Sequence, residues 1–69
     1  MIRKSVESSN IKSVGYDGRS LTLEVEFKKG AVYQYTGVQK EMFDNFLNAP
    51  SKGKFFAQFI REMFPTTKV

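Results

Sequence analysis

The sequence predicts an α+β domain: a three-stranded antiparallel sheet followed by two helices packed on one of its faces. Three observations predict it. Leu21-Thr22-Leu23-Glu24-Val25-Glu26-Phe27 alternates apolar and polar residues without a fault, the period-two mark of a half-buried strand. Asp17-Gly18 and Lys28-Lys29-Gly30 stand where turns would flank that strand, because Gly accepts positive φ and Asp can bond nearby backbone. Beyond Gly37 the apolar spacing lengthens to a helical period.

Taken in order, a short extra N-terminal strand near Ile2 to Val6 is admitted by the pattern. Ile11 to Tyr16 reads as a strand with Val14 and Tyr16 on one face, and Asp17-Gly18 turns it into the alternating strand. There Leu21, Leu23, Val25 and Phe27 face a core, while Thr22, Glu24 and Glu26 face out. Two registers are open to the next hairpin. A two-residue loop would put Tyr33 and Tyr35 on the face of Glu24 and Glu26. A three-residue loop with Gly30 in a left-handed conformation pairs Phe27 with Ala31 and sets Tyr33 opposite Val25 and Tyr35 opposite Leu23. The second is preferred, because Gly in the third position suits the bulged turn.

Between Gln39 and Asn48, Met42, Phe43, Phe46 and Leu47 form one helical face, and Pro50 closes the segment. Ser51 is a good N-cap for a second helix. That helix carries Phe55, Phe56, Phe59, Ile60 and Met63 on one face and ends at Pro65. Phe56, Phe59 and Ile60 are expected to be buried against the strands. On another face Lys54, Gln58 and Arg61 align at i, i+4 and i+7.

Length and composition narrow the function. Residues 1–69 make one domain, and so small a chain offers little room for a deep catalytic cleft. It has no cysteine and no histidine. Disulfides, thiolate metal sites, the commonest general base and the commonest zinc ligand are thereby removed. The serines lack an activating partner, and no loop clusters carboxylates at metal-ligand spacing. The expected protein is not an enzyme and needs no cofactor or metal. No apolar run follows the basic start, so neither a signal peptide nor a membrane partner is expected, and a cytoplasmic location is. The net charge of +4 gathers toward both ends, which is compatible with a polyanion partner or with a solvated surface.

One candidate site combines these features. Ser51, Lys52, Gly53 and Lys54 open the second helix, where free amides and the positive end of the helix dipole meet two cations. Gly53 would let a phosphate or carboxylate approach the backbone, with Arg61 assisting from two turns on. The alternative is an ordinary capped helix start. Tyr33, Tyr35 and Tyr16 are candidates for base or sugar contacts, although the preferred register packs the first two rings in the core.

Ser8-Ser9-Asn10-Ile11, Gly15-Tyr16-Asp17, Leu23-Glu24-Val25-Glu26-Phe27, Tyr33-Gln34-Tyr35 and Ser51-Lys52-Gly53-Lys54-Phe55-Phe56 follow one another in an order that resembles the KTSC family. That family is a short module found at the C-terminus of some lysyl-tRNA synthetases and alone in bacteria and phages. The resemblance runs from about Val6 to Pro65 and implies nucleic-acid binding, RNA ahead of DNA. The chain departs from the family pattern at Ala57 and Phe59, where Asn and His are common, and at Phe64, where Tyr is. These changes leave the second helix more apolar, as a homo-oligomer would use. The leading reading is a non-enzymatic nucleic-acid-binding module. Its rivals are a module that captures a free nucleotide, alone or as an oligomer, and a protein-interaction module.

Overall fold

The computed structural model of the protein describes residues 2–69. Its sheet has five antiparallel strands in sequential order: β1 (Arg3–Ser5), β2 (Ile11–Asp17), β3 (Thr22–Phe27), β4 (Val32–Thr36) and β5 (Thr66–Lys68). Between β4 and β5 the chain forms α1 (Lys40–Asn48) and α2 (Lys52–Phe59). The expected three-stranded sheet is therefore corrected to five strands. The admitted N-terminal strand exists, and β5 is an addition. Thr66, Thr67 and Lys68 are all exposed, so no apolar alternation marks them. Backbone bonds hold this edge strand instead: the Val69 N–H donates to the Val32 carbonyl at 2.8 Å, and the Thr36 N–H to the Pro65 carbonyl at 3.1 Å. Pro65, which ends a helix in the sequence pattern, accepts at the start of a strand here.

The β3–β4 hairpin has the bulged three-residue loop. Gly30 has φ +104°, the Phe27 N–H donates to the Ala31 carbonyl at 2.9 Å, and the Gly30 N–H to the Phe27 carbonyl at 2.9 Å. Leu23 pairs with Tyr35 and Val25 with Tyr33, so both tyrosines lie on the helix-covered face. At the other end of β3, Asp17 pairs with Thr22. The β2–β3 loop thus extends through Leu21, which has φ +53° and lies outside β3.

A register shift in β2 adds a core residue. Ile11 pairs with Phe27 and Ser13 with Glu26, so Lys12 is the extra residue of a bulge. Strict alternation would send Ile11 and Val14 to opposite faces; the bulge turns both inward. They join Leu23, Val25, Tyr35, Val38, Phe46, Phe56 and Ile60 in the core. Phe59 does not join them. It is 47% exposed, contrary to the burial expected from its spacing. The reason is the rotation of α2 about its axis, since Phe59 is still within the helix and the chain leaves helical geometry only at Ile60 (φ −122°, ψ −50°). Phe56 and Ile60 take the inward positions, and Phe59 packs outside on Phe55, centroids 4.8 Å apart.

The uncovered face of the sheet is polar and internally satisfied. Arg3, Gly15, Glu24, Gln34 and Thr67 fall in one cross-strand row. Gln34 Nε2 donates to Glu24 at 2.9 Å, and Arg3 lies 3.5 Å from the same carboxylate. The Ser13 hydroxyl donates to Glu26 at 2.8 Å and is the main cause holding the Glu26 carboxyl below its usual range. A lowered folded-state pKa stabilises above the unfolded pKa, and this stabilisation is lost as pH falls through the folded one. Acid titration of the melting temperature should therefore fall less steeply in Ser13→Ala than in the parent. Identical acid slopes would show that the hydroxyl does not support the carboxylate.

Candidate functional site

Two depressions lie side by side on the helix-covered side. One, of about 380 Å³, opens between β4, β5 and α2 and is lined by Asn10, Phe27, Tyr33, Tyr35, Gly53, Phe56, Ala57, Arg61 and Thr66. The other, of about 370 Å³, is lined by Ser9, Asn10, Phe27, Lys28, Lys29, Ala31 and Tyr33. They share Asn10, Phe27 and Tyr33 and so form one trough along β4. Its lining among the described residues holds three cations and no carboxylate: Arg61 at one end, Lys28 and Lys29 at the other.

The trough follows from local folding. Gly30 reverses the chain so that Lys28 and Lys29 sit at its mouth. The Ser8–Asn10 segment is drawn against α2: a Cβ on Gly53 would lie 3.0 Å from Asn10 Oδ1 and 3.7 Å from Ser8 Oγ. Gly53 therefore admits the Asn10 side chain, a close approach from within the chain. The Lys28 N–H donates to the Asn10 carbonyl at 2.9 Å, fixing the same segment from the hairpin side. Asn10 Oδ1 accepts from Ser8 Oγ at 3.2 Å, which leaves its amide nitrogen as a donor beside the trough.

The tyrosines divide. Tyr35 is 3% exposed, and its hydroxyl makes no hydrogen bond among the described residues without being a buried orphan. Burial, reinforced by the neighbouring Tyr33 and opposed by Arg61, pushes its phenol up, so it stays protonated and can donate. Tyr33 packs edge-on against Phe27 at 5.9 Å and lines both depressions. Tyr16 lies elsewhere, stacked on Phe43 at 4.7 Å in a separate hollow between β1, β2 and α1. Its hydroxyl donates to the Val38 carbonyl at 2.6 Å, and burial raises its pKa. That hydroxyl is occupied by the fold.

The basic residues divide as well. Ser51 caps α2, accepting from the Lys54 N–H at 3.4 Å. No acidic residue stands in the first turn of α2, although two lysines do. Lys54 and Gln58 line a shallow apolar hollow with Phe55 and Phe59, whereas Arg61 lines the trough with Gly53 and Ala57. Lys54 and Arg61 thus do not share the side that their spacing suggested, because Arg61 lies past the last turn of α2. The structure brings together Tyr33, Tyr35, Gly53 and Arg61 from the sequence-predicted set. It adds Asn10, Lys28 and Lys29, which sequence reasoning missed; the only signal for Asn10 was its place in the Ser8-Ser9-Asn10-Ile11 motif.

Among the described residues, no group of three or more His, Cys, Asp and Glu could hold a metal ion. Among the same residues, no helix is long and apolar enough to cross a membrane.

The chain resembles known proteins over nearly its whole length. A protein of uncharacterised function from Stutzerimonas stutzeri is 41% identical over 61 residues, covering 88% of this chain and 86% of that one. The lysine–tRNA ligase of Nostoc punctiforme is 41% identical over 58 residues, which span 84% of this chain but only 10% of the ligase. The crystal structure of a KTSC domain protein from Yersinia pestis superposes with a TM-score of 0.94 at 42% identity, covering 99% of this chain and 96% of that one. The model of the KTSC domain itself matches residues 7–64, and this chain belongs to that family.

Proposed function

We propose that the protein is a non-enzymatic module that binds single-stranded nucleic acid, RNA ahead of DNA, along the trough beside β4. The charge of the trough carries this reading: three cations and no carboxylate among its described lining residues, with Tyr33, Tyr35 and Asn10 between them. Phosphates supply the complementary charge, and unstacked bases supply faces and edges for tyrosine and amide groups. The uncovered sheet face does not compete for this role, since Glu24 and Glu26 are on it and the tyrosines are not. A similar segment within lysine–tRNA ligases favours RNA. Volumes of this size also suit a small ligand, and that observation favours a free nucleotide as the second reading.

The test is an NMR titration with a short single-stranded RNA and its DNA equivalent. Shifts should concentrate at Asn10, Tyr33, Tyr35 and Arg61. Lys28→Gln/Lys29→Gln should weaken binding and reduce the magnitude of the log–log salt slope by roughly 0.7 for each phosphate no longer neutralised. Lys52→Gln/Lys54→Gln should change it less. A greater effect in the second variant would move the phosphate to the start of α2. Equal effects in both would leave only diffuse electrostatics.

A further inference from the structure

We infer that the trough takes two consecutive nucleotides of a single strand, one in each depression, with phosphates held at its two ends. This inference rests on the nucleic-acid reading above and gives it a footprint. The two depressions, about 380 and 370 Å³, meet at one wall of three shared residues, Asn10, Phe27 and Tyr33. That wall is fixed. Tyr33 is locked edge-to-face on Phe27 at an interplanar angle of 72°, and the Asn10 backbone is tied to Lys28. Neither depression can therefore be enlarged cheaply at the expense of the other, and a single occupant filling both would have to pass over the wall.

A linear strand does so through its backbone. From Ala31 to Tyr35 the trough follows β4 for four residue steps, about 13 Å at strand rise. Cations stand at opposite ends of this path, Arg61 beside Tyr35 and Lys28 with Lys29 beside Ala31. One compact anion can meet one end; a strand with phosphates on both sides of a nucleoside pair can meet both. Within the path, the free Tyr35 hydroxyl serves one depression, and the Asn10 amide borders both.

The experiment is a length ladder: oligoadenylates of one to four residues, phosphorylated at both ends, titrated against the intact chain by calorimetry at fixed salt. Affinity should rise about tenfold from one residue to two, the equivalent of one added charge-assisted contact, and much less for each residue after that. Arg61→Gln and Lys28→Gln/Lys29→Gln should each abolish this step while melting as the parent does. A one-residue ligand that binds as tightly as two, or a rise with no break at two, overturns the footprint while leaving the nucleic-acid reading in place. If no ladder member binds and a longer RNA also fails, both are overturned.

Discussion

Phe56→Ala is expected to bring the domain to the edge of unfolding, whereas Phe59→Ala should leave its melting curve almost unchanged. The two residues stand about one turn apart on one helix and are chemically identical, so the contrast isolates position. Phe56 is 4% exposed. Its ring meets Phe27 and Tyr35 edge-on, each at 5.4 Å, and Phe46 at 6.5 Å. It is the ring through which both helices and two strands touch. Truncating a buried Phe costs about 3–5 kcal/mol, and a domain of this length has only roughly 3–10 kcal/mol to lose. Phe59 is 47% exposed and packs mainly on Phe55, so its removal forfeits a fraction of that. Thermal or urea unfolding of both variants decides the matter. Equal destabilisation would mean that Phe59 is buried after all. A small effect at Phe56 would mean that the sheet and helices are not coupled through this ring.

The misassignment of Phe59 shows where sequence reading stops. Helical spacing says which residues share a face, but not which strip of that face meets the sheet, and a small rotation of the helix decides whether a ring is inside. A different uncertainty governed Arg61, whose side depends on how the chain leaves α2. The central strand was legible because burial on one face and solvent on the other impose alternation, and Gly30 made the next register readable. β5 was not legible, because an exposed edge strand is held by backbone bonds that any sequence can make. The Lys12 bulge was not legible in the pattern either, since strict alternation simply puts Ile11 on the face opposite Val14. Lys28 and Lys29 read as turn residues, and they are; that the turn curls them to the mouth of a trough is a property of the Asn10 segment, folded against them from a distant part of the chain. Gly53 was read as a point where a ligand approaches the backbone; the group that approaches it in the structure is the Asn10 side chain.

Tyr16→Phe and Tyr35→Phe should give opposite signatures, although each removes one oxygen atom. The Tyr16 hydroxyl donates to the Val38 carbonyl at 2.6 Å, and Val38 is fully buried. Deleting the donor leaves a buried acceptor unsatisfied, at a cost of about 1–3 kcal/mol. In a domain of this size each kcal/mol lowers the melting temperature by about 4–8 °C. Nucleic-acid affinity, measured where the variant is folded, should be that of the parent, because Tyr16 lies in the hollow between β1, β2 and α1. Tyr35 is the reverse case. The residue is 3% exposed, yet its hydroxyl has no hydrogen-bond partner among the described residues and is not a buried orphan. Phenylalanine keeps every ring contact, including the edge-on packing against Phe56, so stability should hold or rise slightly. What disappears is a donor at the Arg61 end of the trough. If a bound strand uses it, affinity falls about five- to tenfold, the worth of one hydrogen bond of ordinary strength. A Tyr35→Phe protein that melts early would show the hydroxyl to be bonded within the fold. One that melts normally and binds RNA as tightly as the parent would remove Tyr35 from the site and leave the Arg61 end without its reader of bases.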